Sequence, residues 1–376
     1  HLILKHMLDR RLFANFDWVL LSIVLMLCAV GIVAMYSATM GSPQLGRFLP
    51  RQVIWMGLGL TLALTATVID YRIWAQFGPF LHLGAVCLLI LVLFIGTGGP
   101  GSPVERWLKV GPVFMQPSEF AKLTLVLSLA HYFREGQRIG RLGIKELIWP
   151  SLLMLVPLLL ILRQPDLGTA LLLLIVFMPM IFLAGLKLWV LLASIVLGLC
   201  SLPVAWHFVL KPYQQERVLT FLDPTRDPLG AGYHIIQSKI AVGNGGVWGQ
   251  GIGGGTQGQL NFLPAHHTDF IFSVFAEEWG FVGTLTVLLL FMALIFWSLG
   301  HILNTQDRVS AMLTVGVVTI LTSHVLINIG MTIGLMPVVG VPLPFFSYGG
   351  SAMLSQMFGI GLLLNVRMRR FRTDEL

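Results

Sequence analysis

The sequence predicts an all-α polytopic membrane protein with about ten transmembrane helices and a long outer loop between helices 7 and 8. Of its 376 residues, 56% are hydrophobic and only 11% are charged, whereas a soluble protein has about 25% charged residues. The apolar residues form runs close to the roughly 20 residues that one crossing of a bilayer requires. The basic residues cluster in short segments between alternate runs, which is typical of membrane proteins with a fixed orientation.

Ten apolar runs justify the helix count. The fifth and sixth are separated only by RQPD, which predicts a tight turn with Asp166 as the N-cap of the sixth helix. The eighth run is long enough to predict either a steeply tilted helix or a first turn that does not span the membrane. The runs lie at 17–37, 53–70, 78–97, 117–134, 148–164, 167–186, 188–210, 270–300, 309–332 and 350–366.

The basic residues orient these helices. With the N-terminus in the cytoplasm, the basic clusters at 134–145 and 367–372 both fall on the inside. The prediction is a single membrane domain, residues 1–376, with both termini cytoplasmic. Its non-spanning parts are an N-terminal segment (1–16), a long extracytoplasmic loop (211–269) and a C-terminal tail (367–376). The net charge of +7 therefore reports orientation, and no nucleic-acid partner is expected.

Two long loops face the outside, at 97–116 and 211–269, and loops of this length are usually functional or disordered. The second contains ordered pieces. ERVLTFLDP predicts a short helix, GYHIIQSKIAVG predicts a helix at the membrane interface, and GNGGVWGQGIGGGTQGQ predicts a loop.

The three cysteines, Cys28, Cys87 and Cys200, each lie within an apolar run. They offer neither metal-ligand spacing nor a disulfide framework. We therefore expect them to be packing residues.

Asp269 opens the eighth run, directly after His266, His267 and Thr268. One interpretation is an N-cap, a position that Asp favours. Another is a carboxylate kept at the membrane surface for chemistry. A metal site is a third, although the sequence identifies no further ligand. The deeper pair Glu277 and Glu278 is expected to be mainly structural, because charges in the bilayer need partners.

The segment QPSEFAK opens the fourth run from the same side. Glu119 and Lys122 are one helical turn apart and can form an ion pair. The alternative is a cationic site in a cavity that opens outward.

Further charged residues are expected at the same outer boundary. Individually they are ordinary interfacial charges, but together they form a ring that suits an anionic amphiphile, with Arg and Lys holding phosphate. The ring comprises Arg106, Arg163, Asp166, Arg217 and Lys239, and the SYGGS loop adds Ser347.

Several long motifs occur in one order along the chain: ERWLKVG, QPSEFAK, QPDLGTA, FLDPTRDPLGAGYHIIQSKIAVGNGG, GTQGQLNFLPAHHTDFIFSVFAEEWG and GLMPVVGVPLPFFSYGGS. Together they resemble the SEDS family (shape, elongation, division and sporulation proteins) over about residues 17–366. QSKIA and GTQGQLNFLPAHHTDFIF are more similar to the elongation members than to the division members. GSPVERW departs from the family's Gly-Ala-x-Arg-Trp pattern, which leaves the role of Arg106 open.

The resemblance implies a peptidoglycan glycosyltransferase of the bacterial inner membrane that polymerises lipid II during cell elongation. Asp269 matches the family's essential aspartate and would be the general base for attack of a sugar 4-hydroxyl on the anomeric carbon. No second carboxylate is adjacent to it in sequence, which favours inversion. The expected substrate-binding residues are Arg106, Glu119, Lys122, Asp166, Arg217, Lys239, His267, Thr268 and Ser347.

The sequence identifies no definite cofactor. Arg217, Lys239, Lys122 or a divalent cation such as Mg²⁺ could stabilise the departing diphosphate. The resemblance implies a class B penicillin-binding protein as partner, since this chain has no Ser-x-x-Lys transpeptidase motif. The alternative functions are a lipid II flippase, which needs a polar path to both faces, and a scaffold. The crowding of polar residues at the outer face favours the enzyme.

Overall fold

The computed structural model describes residues 15–40, 45–98, 105–111, 113–134, 142, 144–208, 210–227, 230–256, 268–305 and 307–369. Within these ranges the chain is mostly helical. The helices are α1 (Trp18–Met40), α2 (Phe48–Val68), α3 (Tyr71–Ile95), α4 (Pro117–Tyr132), α5 (Ile144–Arg163), α6 (Leu167–Ala184), α7 (Leu188–Phe208), α8 (Pro212–Leu222), α9 (Ala231–Asn244), α10 (Ile271–Leu299), α11 (Arg308–Thr332) and α12 (Gly350–Met368).

Each predicted apolar run coincides with a long helix, namely α1 to α7 and α10 to α12. Seven helices in the described part of the chain are long and apolar enough to cross a membrane: α1, α2, α3, α5, α6, α10 and α11. This confirms an all-α, multi-pass membrane protein. Ten crossings remain a prediction, because α4, α7 and α12 are not in this group. Fourteen of the 19 residues of α12 are buried against protein, so this helix needs little apolar surface.

The bundle presents apolar side chains outward. Phe80 is 72% exposed, Phe94 80% and Leu197 72%, a pattern that suits lipid and not water. Inside, helices approach closely where one of them has a glycine. A Cβ on Gly361 would lie 2.5 Å from the Ala63 carbonyl oxygen, and such small-residue contacts are typical of membrane helix packing.

A small antiparallel sheet occupies part of the first predicted loop. It consists of β1 (Thr97–Gly98), β2 (Glu105–Val110) and β3 (Val113–Met115) in the order β1-β2-β3. The sequence predicts only a loop in this region, because strands this short have little periodicity. In the second loop, the two predicted helices are confirmed as α8 and α9.

α10 is kinked at Gly280, whose φ is 64°, a backbone conformation that favours glycine. The glycine loop, residues 245–255, packs against this kink and supplies partners for the main-chain groups that the kink releases. A residue with a Cβ at Gly280 would bring that atom within 2.3 Å of Gly249 N. Four main-chain hydrogen bonds join loop and helix: Phe281 N to Gly246 O, Val282 N to Val247 O, Gln250 N to Glu277 O and Gly251 N to Glu278 O.

The adjacent carboxylates hold the same loop. Glu277 Oε1 accepts a hydrogen bond from the Thr256 N–H at 2.9 Å. Glu278 Oε1 accepts one from the Gly253 N–H at 3.1 Å and another from the Ser37 hydroxyl of α1. Both glutamates are buried, at 1% and 3% exposure. These contacts agree with the structural role expected for the pair.

One end of the bundle gathers the sheet, Asp269 and the first residues of α4, α6, α10 and α12; we call it the Asp269 end. The connection between α11 and α12, residues 333–349, lies there as irregular backbone. Its Phe345 and Phe346 are fully buried. Non-helical backbone at this depth is tolerated when protein surrounds it, and Gly31 of α1 allows the approach, since a Cβ there would lie 2.3 Å from Phe345 O.

Candidate active site

Asp269 lies in the turn that leads into α10. The residue in the N-cap position is Phe270, and that cap has no side-chain hydrogen bond. The interpretation of Asp269 as the N-cap is therefore wrong. Its side chain is half-buried, and among the described residues its carboxylate accepts no hydrogen bond. The carboxylate is thus not committed to holding the helix end.

Two opposing influences set the pKa of Asp269. Burial raises the pKa above its ordinary value, and the nearby charges of Arg106 and Arg217 lower it, with burial the stronger influence. A raised pKa makes a carboxylate a better proton acceptor, and the two arginines place positive charge near it.

Arg106 is held on β2 by a buried acid. Its Nη1 lies 3.2 Å from Asp166 Oδ1. The second carboxylate oxygen of Asp166 accepts from Gln116 Nε2 at 3.1 Å and from the Thr169 hydroxyl at 2.8 Å. Asp166 also caps α6 through the Thr169 N–H, which confirms its predicted N-cap role. Asp166 thus fixes the arginine relative to α6.

Lys122 is completely buried, at 0% exposure. Its Nζ lies 2.8 Å from Glu119 Oε1 and 2.7 Å from His324 Nε2 of α11. Because a lysine ammonium only donates, His324 Nε2 must be the acceptor. The imidazole is therefore neutral with its proton on Nδ1, which donates to Pro342 O at 3.0 Å. The predicted ion pair is present, and it extends through His324 to the α11–α12 connection.

Asn328 lies one turn after His324 on the same face of α11. Its Nδ2 donates to Val341 O at 2.8 Å and to Asp269 O at 2.9 Å. These two α11 side chains therefore hold consecutive carbonyl groups, Val341 and Pro342, and one of them also holds the main chain of Asp269.

Three further candidate site residues lie next to the connection between α11 and α12. Arg217 Nη1, on α8, lies 3.4 Å from Val338 O. A Cβ on Gly340 would lie 3.5 Å from Asp269 Oδ2, and one on Gly334 would lie 2.6 Å from Lys239 Nζ. We call residues 334–343 the site segment, since it borders Asp269, Arg217, Lys239 and the Lys122–His324 pair.

The remaining predicted residues are placed as follows. Thr268 is half-buried and directly precedes Asp269. Ser347 is buried, and its hydroxyl accepts from the Leu343 N–H at 2.8 Å, so it closes a turn of the connection. His267 lies outside the described residues, as does His266. Arg163 ends α5.

Sequence reasoning missed His324, Asn328 and Gln116. A signal for the first two was available, because a histidine and an asparagine four residues apart within an apolar run are costly in lipid and usually functional. Gln116 had no such signal, because its role depends on the fold bringing Asp166 to it.

The described residues contain no group of three or more His, Cys, Asp or Glu side chains that could hold a metal ion. The charges that act on Asp269 are those of two arginines, which do not fit as ligands of a divalent cation. We therefore derive no step through Mg²⁺.

A family model for cell cycle proteins of the FtsW/RodA/SpoVE type matches residues 17–371. The peptidoglycan glycosyltransferase MrdB of Escherichia coli K12 is 38% identical over 356 residues, which covers 95% of this chain and 94% of MrdB. A probable peptidoglycan glycosyltransferase FtsW of Trichlorobacter lovleyi is 38% identical over 360 residues, covering 94% of this chain and 93% of that protein.

Solved structures show the same fold. A chain from a study of the structural coordination of polymerization and crosslinking by a peptidoglycan synthase complex is 35% identical, with a TM-score of 0.80, covering 95% of this chain and 99% of its own. The rod shape determining protein RodA of Thermus thermophilus is 32% identical with a TM-score of 0.70, covering 95% and 98%. The chain therefore belongs to the FtsW/RodA/SpoVE family of cell cycle proteins, the SEDS family that its motifs resemble.

Proposed function

We propose that the chain is a peptidoglycan glycosyltransferase that polymerises lipid II into glycan strands, with Asp269 as its general base. One observation carries the proposal: a half-buried carboxylate with a raised pKa lies near two arginines at one end of an apolar bundle. A lipid-linked sugar presents its head group at the bilayer surface and its tail within the bilayer. A base for such a substrate must lie where those two regions meet.

The proposed reaction needs one proton acceptor and nearby positive charge. The Asp269 carboxylate takes the proton of the acceptor sugar's 4-hydroxyl as that oxygen bonds to the anomeric carbon of the donor. The bond between the anomeric carbon and the diphosphate oxygen breaks, and the undecaprenyl diphosphate leaves with the electron pair. The charges of Arg106 and Arg217 act on Asp269, which supports a role for both arginines in stabilising the negative charge that develops nearby.

The contacts divide the proposed binding residues into two groups. Arg217 and Lys239 have exposed side chains and are candidates to bind the diphosphate, while His267 and Thr268 directly precede the base in sequence. The other residues have protein partners. We propose that they act by holding the site: Glu119 and Lys122 through the buried ion pair, Asp166 through Arg106, and Ser347 through its turn.

The orientation and the partner belong to the same proposal. We propose that the Asp269 end faces outward from the bacterial inner membrane and that both termini are cytoplasmic, since Arg134 after α4 and Arg367 and Arg369 at the end of α12 lie at the other end of the helices. A class B penicillin-binding protein is the proposed partner, because it would supply the crosslinking activity for which this chain has no motif. The relative found in a peptidoglycan synthase complex supports this pairing.

The ion pairs at the opposite end favour an enzyme over a flippase. A flippase needs a polar path to both faces. At the end away from Asp269, three arginines are paired with acids of other helices: Arg367 with Asp17 at 2.7 Å, Arg72 with Asp307 at 3.6 Å and Arg369 with Asp70 at 3.8 Å.

The test is to give purified protein lipid II in detergent and in liposomes, with and without a class B penicillin-binding protein. We expect glycan strands, with the partner raising the yield. If lipid II is scrambled across the liposome membrane and no polymer forms under any of these conditions, the chain is a flippase and not a polymerase.

A further inference from the structure

We infer that Asn328 is a positioning residue for the reaction: it clamps the main chain of Asp269 to the site segment and thereby fixes the carboxylate. This inference rests on the proposed function of Asp269. Asn328 itself touches no reacting atom, so its effect is transmitted through the turn that carries the base.

The hydrogen bonds show how the clamp works. Asn328 Nδ2 has two N–H groups, and each donates to a different carbonyl oxygen, Asp269 O at 2.9 Å and Val341 O at 2.8 Å. Both partners are acceptors only, which requires the amide nitrogen and not the oxygen to face them. One side chain therefore ties two segments that are more than 70 residues apart in sequence, as Asp269 and Val341 are numbered.

The clamp also sets the space beside the carboxylate. Val341 follows Gly340, whose φ is +72° and whose added Cβ would lie 3.5 Å from Asp269 Oδ2. Fixing Val341 to Asp269 thus fixes the wall against which the carboxylate rests. The next carbonyl, Pro342 O, is held by His324 and through it by Lys122, so the wall is anchored at a second point on α11.

The side-chain oxygen of Asn328, Oδ1, supports a functional role for this residue. The side chain is fully buried, at 0% exposure, and its Oδ1 has no hydrogen-bond partner within the described residues. A buried acceptor without a partner is destabilising. A leucine of similar size would avoid that cost, so the amide is best explained by what its two donors hold in place, as is typical of sites where function overrides local stability.

The chain offers a matched control. Asn365 is also fully buried, and its Nδ2 donates to Ala66 O at 2.7 Å and to Ile69 O. It lies near the other end of α12, roughly 20 Å along the helix from Gly350 at 1.5 Å per residue. Both asparagines donate from Nδ2 to two carbonyl oxygens, but only Asn328 holds Asp269, and Asn365 Oδ1 also accepts from Arg369 Nε at 2.8 Å.

The experiment compares wild type, Asn328→Leu, Asn365→Leu and Asp269→Asn in steady-state polymerisation of lipid II, with Tm measured for each in detergent. We expect Asn328→Leu to lower kcat by about 10- to 100-fold, the scale of a small misplacement of a reacting group, with KM changed by less than about threefold, since Asn328 is not proposed to contact substrate. Asn365→Leu should lower Tm at least as much, because it also removes the acceptor of Arg369 Nε, and should leave kcat near the wild-type value.

Asn328→Ser covers the case in which Asn328→Leu does not fold, because it retains one donor; its kcat should lie below that of wild type. A folded Asn328 variant with wild-type kcat, a loss confined to KM, or an equal loss of kcat in Asn365→Leu would overturn the inference. Suppose that wild type polymerises lipid II, that Asp269→Asn does not, and that one of these contradicting outcomes is seen. The role of Asn328 is then rejected, and the role of Asp269 stands. If wild type makes no polymer, the proposed function itself fails.

Discussion

At the scale of single residues, the acidity of Asp269 is set by burial acting against two arginines. Burial is the larger influence and raises the pKa, while Arg106 and Arg217 lower it. The base must be ionised to accept a proton, so activity is lost as the pH falls through this pKa. The pH at which the rate falls on the acid side is therefore higher than the ordinary pKa range of a carboxylate.

This balance predicts the effect of Arg217→Gln. Removing one of the two charges that lower the pKa of Asp269 raises that pKa further, so the acid limb of kcat/KM against pH moves to higher pH. Arg226→Gln is the control, since Arg226 is an exposed arginine paired with Asp223 at 3.6 Å. An acid limb that stays in place in Arg217→Gln, or moves equally in both variants, contradicts the assignment.

A second residue-scale prediction concerns the buried ion pair. Lys122→Met leaves Glu119 charged, buried and without its cation, which should cost about 3–5 kcal/mol of unfolding free energy. Adding Glu119→Gln removes the unpaired charge and should recover most of that loss. Thermal unfolding in detergent, followed for both variants, measures the difference. Equal Tm values for the single and the double variant would show that the pair does not stabilise the fold as described.

At the scale of elements, α10 and the glycine loop form one unit. The kink at Gly280 releases main-chain donors and acceptors, and the loop satisfies them. Glu277 and Glu278 add side-chain hydrogen bonds from the helix to the loop. α10 begins just after Asp269. The packing of α10 against the glycine loop therefore sets the orientation of the turn that carries the base.

Gly280→Ala tests this unit. Alanine at a φ of 64° costs about 1–3 kcal/mol in backbone strain, and its Cβ would meet the loop at Gly249 N. We expect a clear fall in Tm. Gly84→Ala is the control, because an added Cβ on this exposed helix residue meets nothing within 4 Å. If the two variants unfold at the same temperature, the kink does not depend on glycine.

The same elements show what the sequence could predict. The ten long helices follow from apolar runs, a local property, and Asp166 was predicted as a cap from its place before Leu167. The site segment could not be predicted in this way. Its backbone is irregular and has no periodicity, and its partners Arg217, His324 and Asn328 come from two helices, α8 and α11, that are distant from each other in sequence. Asp269 was a candidate from its position at the start of the eighth run, and the resemblance of its motif added the role of base, whereas its link to Asn328 required the fold.

At the scale of the whole molecule, the Asp269 end and the opposite end differ in kind. The Asp269 end has a half-buried base near two arginines, whereas at the other end three arginine–acid pairs join helices. This asymmetry suits an enzyme that works on one face of a membrane. It makes the orientation of the chain a direct consequence of the proposed function.

Cysteine labelling measures that orientation. In a background without Cys28, Cys87 and Cys200, we expect Asp223→Cys to react with an impermeant maleimide added outside intact cells. Leu303→Cys, at a position that is 87% exposed at the opposite end, should react only after the cells are opened. The reverse pattern would place Asp269 in the cytoplasm and contradict the account.

The most direct test of the central claim is the rate of glycan-strand formation from lipid II by Asp269→Asn. Burial favours the uncharged form of Asp269, so the amide should fold with a Tm no lower than that of wild type at pH 7. With Asp223→Asn as an exposed control at the wild-type rate, we expect Asp269→Asn to be slower by about 10²–10⁴-fold, the usual effect of losing a general base. A folded Asp269→Asn protein that polymerises lipid II at the wild-type rate would contradict the account.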